Sequence, residues 1–161
     1  MKKIKTLASL SKIIKQAKKR NNIIVFTNGC FDLFHYGHLV SLRKAKKYGD
    51  ILIVGVNSDS SVKKLKGKNR PVFSQKERVS IICSLEFVDY CVIFKEETPE
   101  KIIKFLKPDI IIKGSDYKEE QVVGYDFVKR YGGKVVLLPL VKGFSTTEII
   151  KKIKNENLKD N

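Results

Sequence analysis

Five short apolar runs, rich in β-branched residues, recur along the chain at Ile23 to Thr27, Ile51 to Asn57, Asp89 to Phe94, Asp109 to Lys113 and Lys134 to Leu138. Each has the length of a strand. The runs are continuous where a sheet with one wet face would alternate, so both faces of the sheet must be covered. Segments with helical spacing lie between them, at His38 to Tyr48, Ser58 to Leu65, Ser74 to Leu85, Pro99 to Leu106 and Gly124 to Tyr131. Such alternation forces right-handed crossovers and predicts an α/β chain, a doubly wound parallel five-stranded sheet with helices on both faces. Ser9 to Lys19, with Leu10, Ile13, Ile14 and Ala17 on one side, reads as a leading helix, and Thr146 to Lys154 as a closing one.

The 161 residues fit one domain: a leading segment 1–20, a core 21–155 and a tail 156–161. No run approaches the roughly 18 to 20 apolar residues that cross a bilayer, and the Lys-rich start is no signal peptide. A soluble, cytoplasmic protein without a membrane partner is expected. Cys30, Cys83 and Cys91 are an odd number with no CxxC pair, which offers neither a disulfide framework nor a four-cysteine zinc site. The net charge of +16 keeps open a basic nucleic-acid-binding module as an alternative. Only five of the 33 basic residues are arginine, and the lysines spread over nearly every helical face. That distribution favours a solvated surface over a docking stripe, so no nucleic-acid partner is expected.

Ligands of doubly wound sheets bind at the carboxyl ends of the strands, near the switch in strand order. Those ends lead here into Thr27-Asn28-Gly29-Cys30-Phe31-Asp32, Asn57-Ser58-Asp59, Lys113-Gly114-Ser115-Asp116 and Gly143-Phe144-Ser145-Thr146-Thr147. Both histidines of the chain stand in His35-Tyr36-Gly37-His38, just past the first strand, at the start of the next helix. Three residues apart, the two imidazoles face one small volume, and Gly37 lets a ligand approach the backbone. Free helix amides and the positive end of the helix dipole point there too, which suits phosphate. Zinc ligation by the pair, with Cys30 or Asp32, is the competing reading.

Gly143 to Glu148 suggests a second anion corner, in which Ser145 or Thr146 also serves as helix cap, with Glu148 closing a capping box if the cap is Ser145. The basic stretch Lys63 to Arg70 either folds over phosphates or is solvated surface, and its place at the rim favours the first. Arg78 reads either as a ligand for substrate or as a surface ion pair with Glu77 or Glu86. Phosphate donors abound, whereas no carboxylate pair stands beside an exposed Ser or Cys, so positioning outweighs covalent chemistry. Nucleotidyl transfer fits these tools: a phosphate oxygen attacks the α-phosphorus of a nucleoside triphosphate and pyrophosphate leaves.

Gly29-Cys30-Phe31-Asp32-Leu33-Phe34-His35-Tyr36-Gly37-His38 resembles the GxFDxxHxGH signature of the cytidylyltransferase-like nucleotidyltransferases. The similarity continues through Leu65-Lys66-Gly67, Arg70-Pro71-Val72, Arg78, Lys113-Gly114-x-Asp116-Tyr117, Gly132-Gly133 and Ser145-Thr146-Thr147, over residues 20–155. Within that family the chain looks most like the heptose 1-phosphate adenylyltransferases. The relatives that make CDP-glycerol carry Arg-Thr-Glu-Gly where this chain has Leu140-Val141-Lys142-Gly143, and that departure weakens the glycerol phosphate reading.

The resemblance implies a Rossmann-like fold. It also implies transfer of AMP from ATP to D-glycero-D-manno-heptose 1-phosphate, giving ADP-heptose for a lipopolysaccharide core and pyrophosphate, with Mg²⁺ on the triphosphate and no protein metal ligand assigned. A cytidylyltransferase acting on glycerol 3-phosphate or another small phosphate is the alternative. Carried over by position, His35, His38 and Lys66 are catalytic. Thr27, Asn28, Gly29, Cys30, Phe31, Asp32, Gly37, Lys113, Gly114, Asp116, Ser145, Thr146 and Thr147 hold the nucleotide, and Asp59 and Arg78 the second substrate. The partners implied are ATP and the sugar 1-phosphate, with a second copy of the chain in a homodimer. The length leaves no room for the kinase to which such transferases are often fused, so a stand-alone transferase is expected.

Overall fold

The computed structural model describes residues 2–116 and 118–156; Tyr117 and the expected tail beyond 156 lie outside them. Its elements run α1 (Leu7–Lys19), β1 (Ile24–Gly29), α2 (Tyr36–Lys46), β2 (Ile51–Asn57), α3 (Asp59–Lys66), α4 (Gln75–Ser84), β3 (Tyr90–Phe94), α5 (Glu100–Leu106), β4 (Ile110–Gly114), α6 (Tyr125–Arg130), β5 (Lys134–Leu138) and α7 (Thr146–Glu156). A short 3-10 turn at Glu119–Gln121 precedes α6. The five strands form one sheet in the order β3-β2-β1-β4-β5, every pairing parallel. This is the expected α/β Rossmann-like architecture, and the strand order reverses between β1 and β4.

Alternation along each strand sorts its side chains into two cores. Ile24, Phe26, Ile53 and Ile111 pack with Leu10 and Ile14 of α1, Ile102, Ile103 and Leu106 of α5, and Val128 of α6. Val25, Leu52, Val54 and Ile112 pack on the opposite face with Leu42 and Ala45 of α2 and Val79 and Ile82 of α4. Burial on both faces is why the runs are continuously apolar. The amino edge of the sheet is fixed by three aspartates: Asp50 accepts from the Ile23 amide at 2.7 Å, Asp109 from Ile24 at 2.8 Å and Asp89 from Leu52 at 2.7 Å. The polar chemistry left over stands at the carboxyl edge.

Two helices start two residues before the spacing in the sequence places them, and four others start one residue after it. The Thr6 hydroxyl accepts from the Ser9 amide, which begins α1 at Leu7 instead of Ser9. Helix α2 begins at Tyr36 and not at His38, which makes His35 its N-cap and puts His38 in its first turn. The segment before α1 also has a role of its own. Lys5 donates to the Cys91 carbonyl and Cys91 to that of Lys3, so Ile4 bridges to β3 and covers the outer edge of the sheet. Among the described residues no helix is long and apolar enough to cross a membrane.

Candidate active site

The loop from β1 to α2 is bent at two left-handed residues that are not glycine, Phe31 (φ 50°) and Leu33 (φ 46°), on either side of Asp32. Each costs on the order of 1–2 kcal/mol and persists only where its surroundings over-determine it. Asp32 supplies that determination. Its carboxylate is buried and accepts from Arg70 Nε at 2.5 Å, from the Val72 amide at 2.9 Å and from the Phe73 amide at 3.1 Å. Its carbonyl accepts from Thr146 Oγ1 at 2.6 Å. Burial alone would raise the Asp32 pKa, but Arg70 and the two amides outweigh it and hold the carboxyl below its usual range. Asp32 is thus engaged entirely by protein donors. Its carboxylate and carbonyl join three segments, the histidine loop, the stretch from Arg70 to Phe73 and the start of α7.

The two imidazoles lie stacked at the mouth of α2, with centroids 3.7 Å apart and planes inclined by 21°. The His35 amide donates to His38 Nδ1 at 3.4 Å, a long bond that favours the tautomer with the proton on Nε2. Burial, then the neighbouring His35, lowers the His38 pKa from 6.5 to about 3, against the opposing pull of Asp32. Burial lowers that of His35 as well. At neutral pH both rings are therefore neutral, and each offers one N–H to an anionic oxygen. Gly37 serves a different purpose from the one expected. A Cβ there would stand 3.0 Å from the His35 ring and 3.2 Å from Phe144 Cβ, so its space is filled by side chains and not left to a ligand.

The second corner opens α7. Ser145 Oγ accepts from the Glu148 amide at 3.1 Å, which is the expected cap. Thr146 reaches Asp32, and Thr147 is exposed. The hydroxyl corner of α7 and the histidine corner of α2 therefore meet across Asp32, and the rings of Tyr36 and Phe144 touch above them at 5.2 Å. The sequence singled out Arg70 in the basic stretch and in the family resemblance, but gave no sign that Asp32 would be its partner or that the Val72 and Phe73 amides belong to this frame.

Three further expected residues are engaged within the protein. Arg78 is 1% exposed, so neither a surface ion pair with Glu77 or Glu86 nor a direct substrate contact is open to it. Its guanidinium is spent inside: Nε donates to the Phe73 carbonyl at 3.0 Å, Nη1 to that of Cys30 at 2.5 Å and Nη2 to Asp59 Oδ1 at 2.8 Å. Asp59, expected to meet substrate beside it, also neutralises it through Oδ1, with its side chain about a third exposed. Thr27 is buried and its hydroxyl donates to the Ile112 carbonyl at 3.0 Å, joining β1 to β4 instead of holding nucleotide. Burial pushes the Cys30 thiol up from its ordinary value against the charges of Lys66 and Arg78, and Lys66 is exposed at the end of α3. Gly114 is required by close approach, since a Cβ there would lie 2.6 Å from Asp116 Oδ1 and 2.8 Å from Leu140.

The pattern of the cytidylyltransferase-like family matches residues 26–152, a span that holds both corners of this site. The chain belongs to the cytidylyltransferase-like family. It is 54% identical over 151 residues to the bifunctional protein HldE of Geobacter metallireducens, covering 94% of this chain and 31% of that protein. The chain thus spans about a third of the length of the curated relatives it matches. Among solved structures it resembles the lipopolysaccharide core biosynthesis protein from Thermoplasma volcanium, with TM-score 0.61 and 31% identity over 76% of this chain and 99% of that one. Pantoate-beta-alanine ligase from Francisella tularensis shares the fold alone, with TM-score 0.59 and 17% identity over 94% of this chain and 76% of that one.

Proposed function

We propose that this member of the cytidylyltransferase-like family transfers AMP from ATP to D-glycero-D-manno-heptose 1-phosphate, releasing pyrophosphate and supplying an ADP-activated sugar for a lipopolysaccharide core. The observation that carries the reading is the stacked His35–His38 pair at the start of α2, facing the hydroxyl start of α7 across Asp32. Two helix N-termini and two neutral imidazoles form one anion-binding wall, and the wall is suited to a triphosphate. The likeness to bifunctional HldE and to a lipopolysaccharide core biosynthesis protein supports the choice of sugar and pathway.

In this mechanism the chain does little covalent chemistry. The sugar phosphate oxygen attacks the α-phosphorus in line, the bond to the bridging oxygen breaks, and the β- and γ-phosphates depart as pyrophosphate. His38 Nε2–H donates to the oxygens on which charge builds, His35 supports it, and Lys66 neutralises from the rim. A divalent cation such as Mg²⁺, carried by the triphosphate itself, would offset part of the charge that His35, His38 and Lys66 face. Asp32 keeps the histidine loop, the Arg70 segment and α7 in one arrangement, so that little reorganisation accompanies the transition state.

The test is to incubate the protein with ATP, Mg²⁺ and the heptose 1-phosphate and to measure pyrophosphate and the nucleotide sugar, beside a panel of CTP, glycerol 3-phosphate and other sugar phosphates. Turnover is expected to be fastest with ATP and the heptose phosphate, and His38→Ala to lower it by about 10²–10⁴ with the fold kept. A wild type silent with that pair but active with CTP and glycerol 3-phosphate would replace the reading by its alternative.

A further inference from the structure

On the reading that the chain catalyses nucleotidyl transfer, we infer that Asn28 and Lys113, which the family resemblance assigns to the nucleotide, form instead the subsite for the acceptor substrate, Lys113 meeting its phosphate and Asn28 one of its hydroxyl groups. The two residues stand at the tips of neighbouring strands. The last paired rung between β1 and β4 is Thr27 with Ile112, so Asn28 and Lys113 occupy the next one, at the point where the strand order reverses. Alternation puts their side chains on the face of Phe26 and Ile111. The histidine and α7 corners lie on the other face, with Leu42, Ala45 and Ile112.

That division matches the geometry of the reaction. An in-line displacement needs the attacking oxygen and the departing pyrophosphate on opposite sides of the α-phosphorus. With the departing phosphates held by α2 and α7, the attacking group arrives from across the tip of β1, where Asn28 and Lys113 are.

The chemistry of the two groups selects the ligand. Asn28 Oδ1 is buried and has no hydrogen-bond partner among the described residues. A buried carbonyl oxygen is costly unless paired, and its complement is a donor such as a sugar hydroxyl. Gly55 of β2 gives the amide room, since a Cβ there would lie 3.1 Å from Asn28 Cβ. Lys113 makes no ion pair within the described residues, whereas the cations Arg70 and Arg78 are both engaged by carboxylates. Burial holds its pKa down to about 8 against Asp116 and Cys30, so at neutral pH it is a partly buried cation whose charge an arriving phosphate would offset. Anion acceptor and hydroxyl acceptor side by side describe a polyol or sugar phosphate better than a base.

Steady-state pyrophosphate release tests this with Lys113→Met, Asn28→Ala and the nearly isosteric Asn28→Asp, each substrate varied in turn, and with ATP-induced thermal shifts as a control on folding and nucleotide binding. In Lys113→Met and both Asn28 variants the KM for the sugar phosphate is expected to rise about tenfold or more, while the KM for ATP and the ATP-induced shift stay within about twofold. Asn28→Ala is also expected to narrow the preference for the sugar phosphate over its singly deoxygenated analogues. A rise in the KM for ATP with that for the sugar phosphate unchanged, or no change in either, overturns the inference. If the wild type proves active on a different acceptor phosphate, the same split is measured on that acceptor, so the choice of heptose fails separately from the subsite.

Discussion

Thr146 donates its hydroxyl to the carbonyl of Asp32 at 2.6 Å, closing the start of α7 onto the histidine loop across 114 residues of sequence. Thr146→Val keeps the shape and removes the donor. Its expected outcome is a loss of about 1 kcal/mol in stability, read by urea unfolding, and a fall of about tenfold in kcat/KM, with Thr146→Ser restoring both.

Asp32→Asn should be the more damaging change. It leaves the Arg70 guanidinium beside a neutral amide and turns one acceptor edge into a donor that faces the Val72 and Phe73 amides. Breaking a buried pair of this kind costs about 3 kcal/mol. With the left-handed Phe31 and Leu33 no longer held, kcat is expected to drop even in enzyme that remains folded, and saturating ATP should not recover it.

Arg78→Lys separates a positioning role from a binding one. A lysine keeps the charge opposite Asp59 but loses the fork that also serves the Cys30 and Phe73 carbonyls. Stability is expected to fall by about 2–3 kcal/mol, and the KM values for both substrates, measured below the melting transition, to stay within about threefold. A large rise in one KM alone would return Arg78 to direct substrate contact.

The histidine pair makes stability depend on pH. With its pKa lowered from 6.5 to about 3, His38 binds less proton folded than unfolded. Its contribution is complete above about pH 6.5 and declines as the pH falls toward 3, at up to about 1.4 kcal/mol per pH unit. Urea midpoints measured from pH 7.5 down to 5 should fall, and His38→Gln should flatten that slope.

Lys113 has the opposite relation to stability. Its pKa is lowered from 10.5 to about 8, so the folded state pays for the charge, and wild-type stability rises between those two pH values as the lysine sheds its proton. Lys113→Met is expected to raise stability at pH 7 by on the order of 1–3 kcal/mol while impairing turnover. A melting series of the two proteins at pH 7 and pH 10 checks this, and their difference should shrink at the higher pH.

Local pattern was enough to place the strands and helices, because continuous β-branched runs and helical spacing are written within a few residues of one another. The same holds for the histidine pair, for Ser145 as a cap and for the gathering of glycine and hydroxyl residues at one rim, all of which depend on neighbours in sequence and on strand polarity. The partners of buried charges depend on contacts between segments far apart in the chain. Asp32 meets Arg70 and Thr146, and Arg78 meets Asp59 and the Cys30 carbonyl, through packing that brings β1, the segment after α3 and α7 to one point. Burial then decided their roles: a carboxylate or guanidinium removed from water must be satisfied by the protein, and once satisfied it supports the site instead of touching the substrate.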